Sequence, residues 1–365
     1  MAKFTTRSVI ASAALAASVW LLVQLQPSPA SAQATNCDGP CSPPPSDCDG
    51  NCEGAEGEGS RAPPVVTGAA SSAGSINDLG KQRFNQMITH RVLGTVLLGV
   101  NEQVNCSDCV SAFGSAGSFS AGIHGRKELT PNLSLLAGIA YTHYSEGGYS
   151  VTSAPIGAFA LRYDFTDWGS SRPFFDIGTI LSPSEKVRYR RSYVTNFGPV
   201  TVDGQTSSQN YGAYGRAGWI NRISPRDEVA ASVEVWQLWQ RVKGYSDQTV
   251  AFNPFDATIA TGTDKTNLVK VGGQWTHLFA DNVEGNINGG FVQSFANHSG
   301  LVATVTSSDG TVAPTVGNQS WFEYGGRLGL RITKGWVADL FVNGTAGPQP
   351  VGNTIHGGVG LRVNY

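Results

Sequence analysis

From residue 112 to the C-terminus, apolar and polar residues alternate along the chain. In the last segment Val359, Leu361 and Val363 fall on one face, and Arg362 falls on the other. A period of two is typical of a β-strand with one apolar and one polar face. The pattern predicts an all-β chain, in which a loss of phase near Trp236 indicates a bulge. Eleven segments share the pattern: 112–128, 132–146, 150–166, 171–190, 204–223, 227–245, 263–280, 282–298, 318–333, 335–347 and 352–365.

These segments are long enough to cross a bilayer as tilted strands, so their apolar faces are predicted to meet lipid. Bacterial barrels of this kind have short periplasmic turns and longer external loops. For the short turns to lie on the periplasmic side, the turn at 128–132 must follow an even-numbered strand, so one more strand is required before residue 112. Residues 88–101 are predicted to form this strand, which makes 102–111 the first external loop. Short turns join alternate segments, at 128–132, 166–170, 224–227, 280–282 and 333–335.

A polar helix is predicted before the strands. Ser75-Ile76-Asn77-Asp78 resembles a capping box that opens a helix. The helix is expected over residues 76–87, which are too polar to face lipid and therefore belong in the lumen. The predicted fold is all-β: a 12-stranded antiparallel transmembrane β-barrel with a short N-terminal helix in the lumen.

Charged residues recur on the polar face of the segments, which would point into the lumen. We expect these opposite charges to form a network around the helix, and ion selectivity is the alternative role. The predicted lumen charge network consists of Arg126, Arg162, Asp164, Asp176, Arg216, Glu284, Glu323, Arg327, Arg331, Asp339 and Arg362.

Residues 1–32 have the features of a cleaved secretory signal peptide. Lys3 and Arg7 precede an apolar stretch, and Ala30-Ser31-Ala32 and Ala32-Gln33-Ala34 both offer a cleavage site; an uncleaved membrane anchor is the alternative. Residues 33–74 are rich in Pro, Gly, Ser and acidic side chains, which predicts a disordered segment. The barrel domain is expected over residues 75–365.

Six cysteines form three close pairs, Cys37/Cys41, Cys48/Cys52 and Cys106/Cys109. An even count in an exported chain favours disulfides. The first two pairs belong to a duplicated Cys-Asp-Gly motif, for which a four-thiolate metal site is the alternative. Zinc sites more often use two intervening residues than three, so we expect local disulfides and no metal.

Composition narrows the choice of function. Charged residues make up 14 % of the chain, against about 25 % in soluble domains. The net charge of -2 gives no reason to expect a nucleic-acid partner. The sequence carries no nucleophile elbow, P-loop or zinc-protease motif, so we expect no enzymatic activity and no cofactor. An outer-membrane hydrolase would have to use His298, Ser299 and Asp309, which share one predicted outer loop.

Together these features resemble the C-terminal β-domain of autotransporters, the type V secretion proteins. The ending is similar to the barrel-assembly signal of that family, with Gly360, Val363 and the terminal aromatic Tyr365 in place. Residues 83–103 resemble the helix-to-strand junction of alphaproteobacterial members. The chain departs from the family in its passenger, because about 42 residues separate the signal peptide from the barrel domain.

The resemblance implies an outer-membrane barrel that translocates or displays a short N-terminal segment at the surface of a bacterial cell. A porin-like or structural channel is the alternative, and an outer-membrane hydrolase is a second one. The implied partners are outer-membrane lipids and the barrel-assembly machinery, which would engage the C-terminal strand. The barrel is expected to be a monomer.

Overall fold

The computed structural model describes residues 68–99, 108–116, 119–166, 168–248, 253–306 and 310–364. The predicted signal peptide and all but the last seven residues of the predicted disordered segment lie outside these ranges. Within the described ranges, no helix is long and apolar enough to cross a membrane. The chain forms one helix there, α1 (Gly68–Leu97), and sixteen strands: β1 (Cys109–Ala116), β2 (Phe119–Thr130), β3 (Leu133–Glu146), β4 (Tyr149–Asp164), β5 (Ser171–Thr195), β6 (Gly198–Arg222), β7 (Asp227–Val242), β8 (Tyr245–Ser246), β9 (Ala257–Ile259), β10 (Gly262–Ala280), β11 (Val283–His298), β12 (Ala303–Val305), β13 (Thr311–Val312), β14 (Ser320–Thr333), β15 (Trp336–Ala346) and β16 (Thr354–Asn364).

Twelve of these strands form a closed antiparallel barrel, which confirms the predicted fold class. Their order around the wall is β1-β16-β15-β14-β11-β10-β7-β6-β5-β4-β3-β2. The barrel closes where β1 pairs with β16, from Cys109 opposite Asn364 to Ala116 opposite Gly357. Closure leaves the wall without an open edge, so the backbone groups of every barrel strand can find partners within the sheet.

The barrel has two different rims. Short turns connect β2 to β3, β6 to β7, β10 to β11 and β14 to β15 at one end, here called the turn rim. Both Cys109 and Asn364 lie at this rim, because they pair with each other and Val363 pairs with Trp336. The opposite end, the loop rim, carries the long connections β7–β10 and β11–β14, which contribute a second sheet of order β13-β12-β9-β8.

Alternate side chains of each barrel strand point outward and inward, as the sequence predicts. Large apolar residues such as Ile139, Phe159 and Phe291 are exposed on the outer face. Charged residues such as Asp176 and Arg216 are buried on the inner face. This division matches a barrel whose outer face meets lipid and whose lumen holds polar groups.

The predicted strand 88–101 is wrong, because α1 continues through these residues to Leu97. The run of apolar and β-branched residues from Val92 to Leu98 has a high strand propensity. In the lumen, however, Leu97 and Leu98 are both buried although they point to different sides of the helix, and Leu93 and Val96 pack against the same cluster. A helix enclosed on several sides buries apolar residues all round, so it shows no simple helical stripe.

The predicted segment 112–128 is in fact a hairpin of two strands, β1 and β2. Small residues around its turn hide the break in alternation, since Gly114, Ser115 and Ala116 fit either face. The number of barrel strands stays at twelve, because the extra strand found in 112–128 makes up for the strand wrongly predicted at 88–101. The predicted external loop 102–111 is also wrong in its described part, since Cys109 opens β1 at the turn rim.

The bulge predicted near Trp236 is absent from the described strand β7, which keeps a continuous register with β6 and β10. Trp236 and Leu238 point into the lumen and pack in its apolar cluster. The apparent loss of phase arises because apolar residues occupy both faces of β7 near the loop rim.

Candidate functional site

The candidate functional site is the lumen, which α1 occupies with its N-terminus towards the loop rim. Ser72 near the start of α1 donates a hydrogen bond to the carbonyl oxygen of Phe255, 3.0 Å away in the connection between β8 and β9. At the other end, the carbonyl oxygen of Leu97 lies 2.6 Å from the position that a Cβ on Gly138 would take. Gly138 lies in the half of β3 nearer the turn rim. The chain therefore runs from the loop rim down into the barrel before it reaches Cys109 at the turn rim.

The first turns of α1 are fixed by the structures of the loop rim. Ile76 and Leu79 are fully buried in an apolar cluster with residues of β9 and β12, including Ile259 and Val305. Arg191 of β5 donates to the Ser75 hydroxyl at 2.6 Å. The same guanidinium forms a buried ion pair with Asp247, so it joins the helix to the β7–β10 connection.

A buried polar cluster surrounds the middle of α1. The Gln86 amide donates to Glu185 of β5 at 2.5 Å, and its oxygen accepts hydrogen bonds from Tyr149 and Gln240. His90, one turn later, lies 2.8 Å from the other carboxylate oxygen of Glu185. Two side chains of β6 also donate hydrogen bonds to Glu185, Ser208 at 2.6 Å and Asn210 at 2.8 Å. The buried carboxylate therefore has several hydrogen-bond donors within the protein.

Arg83 connects α1 to β10, which lies three strands from β5 around the barrel. Its Nε lies 2.7 Å from Asp264 of β10, and both side chains are almost completely buried. The other oxygen of Asp264 accepts a hydrogen bond from the backbone N–H of Gly300 at 2.7 Å. Asp264 thus ties the helix to β10 and to the connection after β11.

Among the described ion pairs of α1, those of Arg91 lie nearest to the turn rim. It pairs with Glu323 of β14 and lies 3.9 Å from Glu234 of β7. Lys270 of β10 lies between the two carboxylates, 3.2 Å from Glu323 and 3.9 Å from Glu234. Trp236 lies under the Arg91 guanidinium at 5.8 Å from the ring centroid. Two cations and two carboxylates therefore balance each other in a buried cluster.

Most residues of the predicted charge network lie in two further wall clusters. In the first, Arg216 binds Asp176 and Arg162 binds Asp164 at 2.7 Å. Arg126 completes this cluster, 3.2 Å from Asp164. The second cluster joins β11, β14, β15 and β16, where Arg327 lies 3.3 Å from Glu284 and 3.5 Å from Asp339, and Arg362 contacts the same two carboxylates.

Two predicted network residues have different positions. Glu323 belongs with Arg91 of the helix rather than with a wall cluster. Arg331 is exposed at the turn-rim end of β14, where it donates to the carbonyl oxygen of Asp281 at 3.2 Å. It therefore does not join the buried ion pairs, although it shares the inward parity of Arg327.

Sequence reasoning missed the residues that hold the helix: Arg83, Gln86, His90, Arg91, Glu185, Glu234 and Asp264. The inward parity of β7 and β10 could have identified Glu234 and Asp264. Glu185 could not be found in this way, because the register of β5 with β6 shifts between Ser182 and Glu185. The partners on α1 could not be found from strand patterns at all.

The lumen also holds free space on the side of α1 facing β1, β2, β15 and β16. Two cavities lie there, each of about 60 Å³. Ile88, Val92 and Phe341 line one of them, and Thr95, His124 and Arg327 line the other. The helix is therefore packed towards β5 and leaves small spaces on the other side of the lumen.

Of the predicted disulfide cysteines, Cys109 lies in the described part of the chain, where it is disulfide-bonded. Cys37, Cys41, Cys48, Cys52 and Cys106 lie outside the described residues. Next to Cys109, Asp108 accepts hydrogen bonds from Lys127 at 2.7 Å and from the backbone N–H of Glu128 at 2.8 Å. These donors stabilise the carboxylate and lower the pKa of Asp108.

The residues of the hydrolase alternative do not form a site in the described part of the chain. His298 is exposed at the end of β11. The Ser299 hydroxyl lies 3.4 Å from Asp264, which already binds Arg83. Asp309 lies outside the described residues.

The C-terminal signal residues lie at the barrel seam. Gly360 pairs with Phe113 of β1 and Asp339 of β15, and Val363 pairs with Val110 and Trp336. Tyr365 lies outside the described residues. The part of the predicted signal that the structure describes is therefore built into the strand that closes the barrel.

No family model and no curated protein matches the sequence. Among solved structures, the chain is similar to the translocator domain of the autotransporter NalP from Neisseria meningitidis. The identity is 12 %, the match covers 82 % of this chain and 100 % of that one, and the TM-score is 0.49.

Two other solved structures illustrate the range of similar barrels. The β domain of the Bordetella autotransporter Brka is 14 % identical, with 71 % of this chain and 99 % of that one covered and a TM-score of 0.45. The NanC porin is 8 % identical, with 71 % and 99 % covered and a TM-score of 0.37.

Proposed function

We propose that this chain is an outer-membrane barrel of autotransporter type that displays its short N-terminal segment at the cell surface. The observation that carries the proposal is the direction of α1 in the lumen. Gly68 lies among loop-rim residues, close to Phe255, so α1 begins at that rim, and we propose that the segment before it lies on the same side of the membrane. A segment that reaches the loop rim through the lumen has the path expected of a translocated passenger.

The outer membrane is the proposed location. Exposed apolar side chains on the outer face of the barrel, such as Ile177, Val271 and Leu340, suit a lipid surface. The turn rim is assigned to the periplasm and the loop rim to the cell exterior, since bacterial barrels place their longer connections outside. Residues 1–32 supply the export signal in this proposal, and the barrel acts as a monomer.

In the proposed state α1 closes the lumen. Three positions along the helix, Arg83, His90 and Arg91, each contact a wall carboxylate. Removing one partner of a buried pair leaves an uncompensated charge and costs about 3–5 kcal/mol. The wall thus holds the helix in one register through directional contacts, and the proposed role needs no catalytic residue.

Assembly is proposed to use the C-terminal strand. Gly360, Val363 and Tyr365 form the signal that the barrel-assembly machinery would engage. Gly360 and Val363 lie in β16, which pairs with β15 and with β1. Engagement before closure is supported by this position, because β16 must pair with β1 to complete the wall.

Epitope labelling of intact cells tests the display function. One variant carries an epitope between residues 40 and 60, and a matched control carries it in the turn at Asp281. We expect antibody to label intact cells of the first variant only, and both variants after the outer membrane is permeabilised. Labelling of the first variant only after permeabilisation contradicts the proposed topology.

A further inference from the structure

Five cations project from the outer face of three barrel strands near the loop rim. They are Lys186 and Arg188 of β5, Arg241 of β7, Lys243 just after β7, and Lys265 of β10. All five side chains are exposed. This set is called the basic patch below.

The strand register makes the basic patch continuous. Lys186 pairs with Ser207 of β6, and the backbone N–H of Lys243 donates to the Ser207 carbonyl at 3.0 Å. The two lysines therefore flank β6, roughly 10 Å apart across two strand spacings. Arg241 pairs with Gln209 on the same edge of β6, one outward position nearer the membrane.

The positive charge of the patch is not neutralised by described side chains. Arg190, the next outward residue of β5, is paired with Asp203 at 2.9 Å. None of the five patch cations forms an ion pair with a described carboxylate. Their cross-strand neighbours on β6 are the neutral residues Gln205, Ser207 and Gln209. Five charges in one sector of the wall, on both sides of β6, therefore repel one another unless an anion lies between them.

The patch begins where the apolar outer face ends. Leu181 and Tyr211 are exposed and pair with each other, and Trp239 pairs with Tyr211 on the next strand. Aromatic residues of this kind are enriched at the boundary between hydrocarbon and headgroups. Lys265 pairs with Trp239, and Arg241 and Lys243 follow towards the loop rim. The patch thus lies at headgroup level on the outer side.

The other side of the barrel differs. In the described loop-rim halves of β14, β15, β16 and β3, the outward positions carry no Lys or Arg. A solvated rim has no reason to gather its cations on one side. The asymmetry points to a ligand that occupies one sector of the wall.

We infer that the basic patch binds the phosphate groups of a phosphorylated lipid in the outer leaflet. The inference rests on the membrane placement proposed above. Arg188 and Arg241 can each bind a phosphate through two N–H groups, and the lysines add charge from either side. Tyr211 and Trp239 would lie against the upper part of the acyl chains.

The test uses the full mature protein folded in phosphatidylcholine vesicles that contain either diphosphorylated or dephosphorylated lipid A. After extraction into a zwitterionic detergent, native mass spectrometry measures the lipid retained on each barrel. The variant combines Arg188→Gln, Arg241→Gln and Lys243→Gln. The matched control combines Lys127→Gln, Arg226→Gln and Lys334→Gln, which removes three cations at the turn rim.

We expect the wild type and the turn-rim control to retain the diphosphorylated lipid at least tenfold more than the dephosphorylated one. The triple variant should lose this preference. Equal retention of both lipids by the wild type overturns the inference, and so does full retention by the triple variant. Displacement of the lipid by millimolar inorganic phosphate also overturns it, because the patch would then bind free phosphate. A barrel that stays sensitive to trypsin in plain phosphatidylcholine vesicles contradicts the membrane placement itself. Failure of the proposed function is thereby distinguished from failure of the lipid-binding inference.

Discussion

Arg83 of α1 and Asp264 of β10 form a buried ion pair at 2.7 Å between the helix and the barrel wall. The pair joins α1, which lies in the lumen, to β10. The connections that form the loop-rim sheet lie before β10 and after β11. Charges withdrawn from water in this way stabilise one arrangement only when both partners are present. The pair therefore couples the position of the helix to the integrity of the wall.

Breaking this pair from one side should destabilise the folded barrel. Asp264→Ala leaves the Arg83 guanidinium buried without its carboxylate, which we expect to cost about 3–5 kcal/mol. The double variant Arg83→Met, Asp264→Ala should recover part of this loss. Urea unfolding in detergent micelles measures both. A single variant as stable as the wild type contradicts the structural role of the pair.

Replacing each of two glycines of α1 with alanine is expected to change the stability of the barrel in opposite directions. A Cβ on Gly94 would lie 2.4 Å from the Ile180 side chain, whereas a Cβ on Gly74 would meet nothing within 4 Å. Alanine in a helix is more favourable than glycine by up to about 1 kcal/mol. We expect Gly74→Ala to leave stability unchanged or raise it, and Gly94→Ala to lower it. Equal effects in urea unfolding argue against close packing of α1 on β5.

The helix should also block conduction. We expect the full-length protein in planar bilayers to pass little current and a variant lacking residues 68–97 to conduct several-fold more. Deletion of residues 33–67 alone serves as the control, since it keeps α1 in place. A full-length protein that already conducts like the helix deletion favours a porin-like channel over a plugged barrel.

The cysteine pairing can be tested at the turn rim. Cys109 is disulfide-bonded, and Cys106 is its predicted partner. Cys109→Ser should therefore expose one free thiol, at Cys106, in the purified protein. Alkylation followed by peptide mass spectrometry identifies the residue. A free thiol at Cys37, Cys41, Cys48 or Cys52 instead shows that the predicted local pairs are incorrect.

The sequence predicted the barrel well because each wall strand separates two environments. Ile139 and Phe159 point outward while Arg162 and Asp176 point inward, and a period of two records that division directly. The helix was harder to bound, since the lumen surrounds it and Val92–Leu98 has the composition of a strand. The wall clusters followed from parity, whereas the contacts of Arg83 and His90 depend on how the helix lies in three dimensions. Glu185 escaped because the register shift beside it changes the parity of β5.

Trypsin treatment of intact cells tests the central claim most directly. Between Arg7 and Lys81 the chain has a single trypsin site, Arg61. If the N-terminal segment lies outside the cell, trypsin releases a peptide that ends at Arg61, and Arg61→Gln abolishes its release. The turn-rim residues Arg226 and Lys334 should stay uncut until the outer membrane is permeabilised. Cleavage at Arg61 that appears only after permeabilisation contradicts a helix that leads its segment to the cell surface.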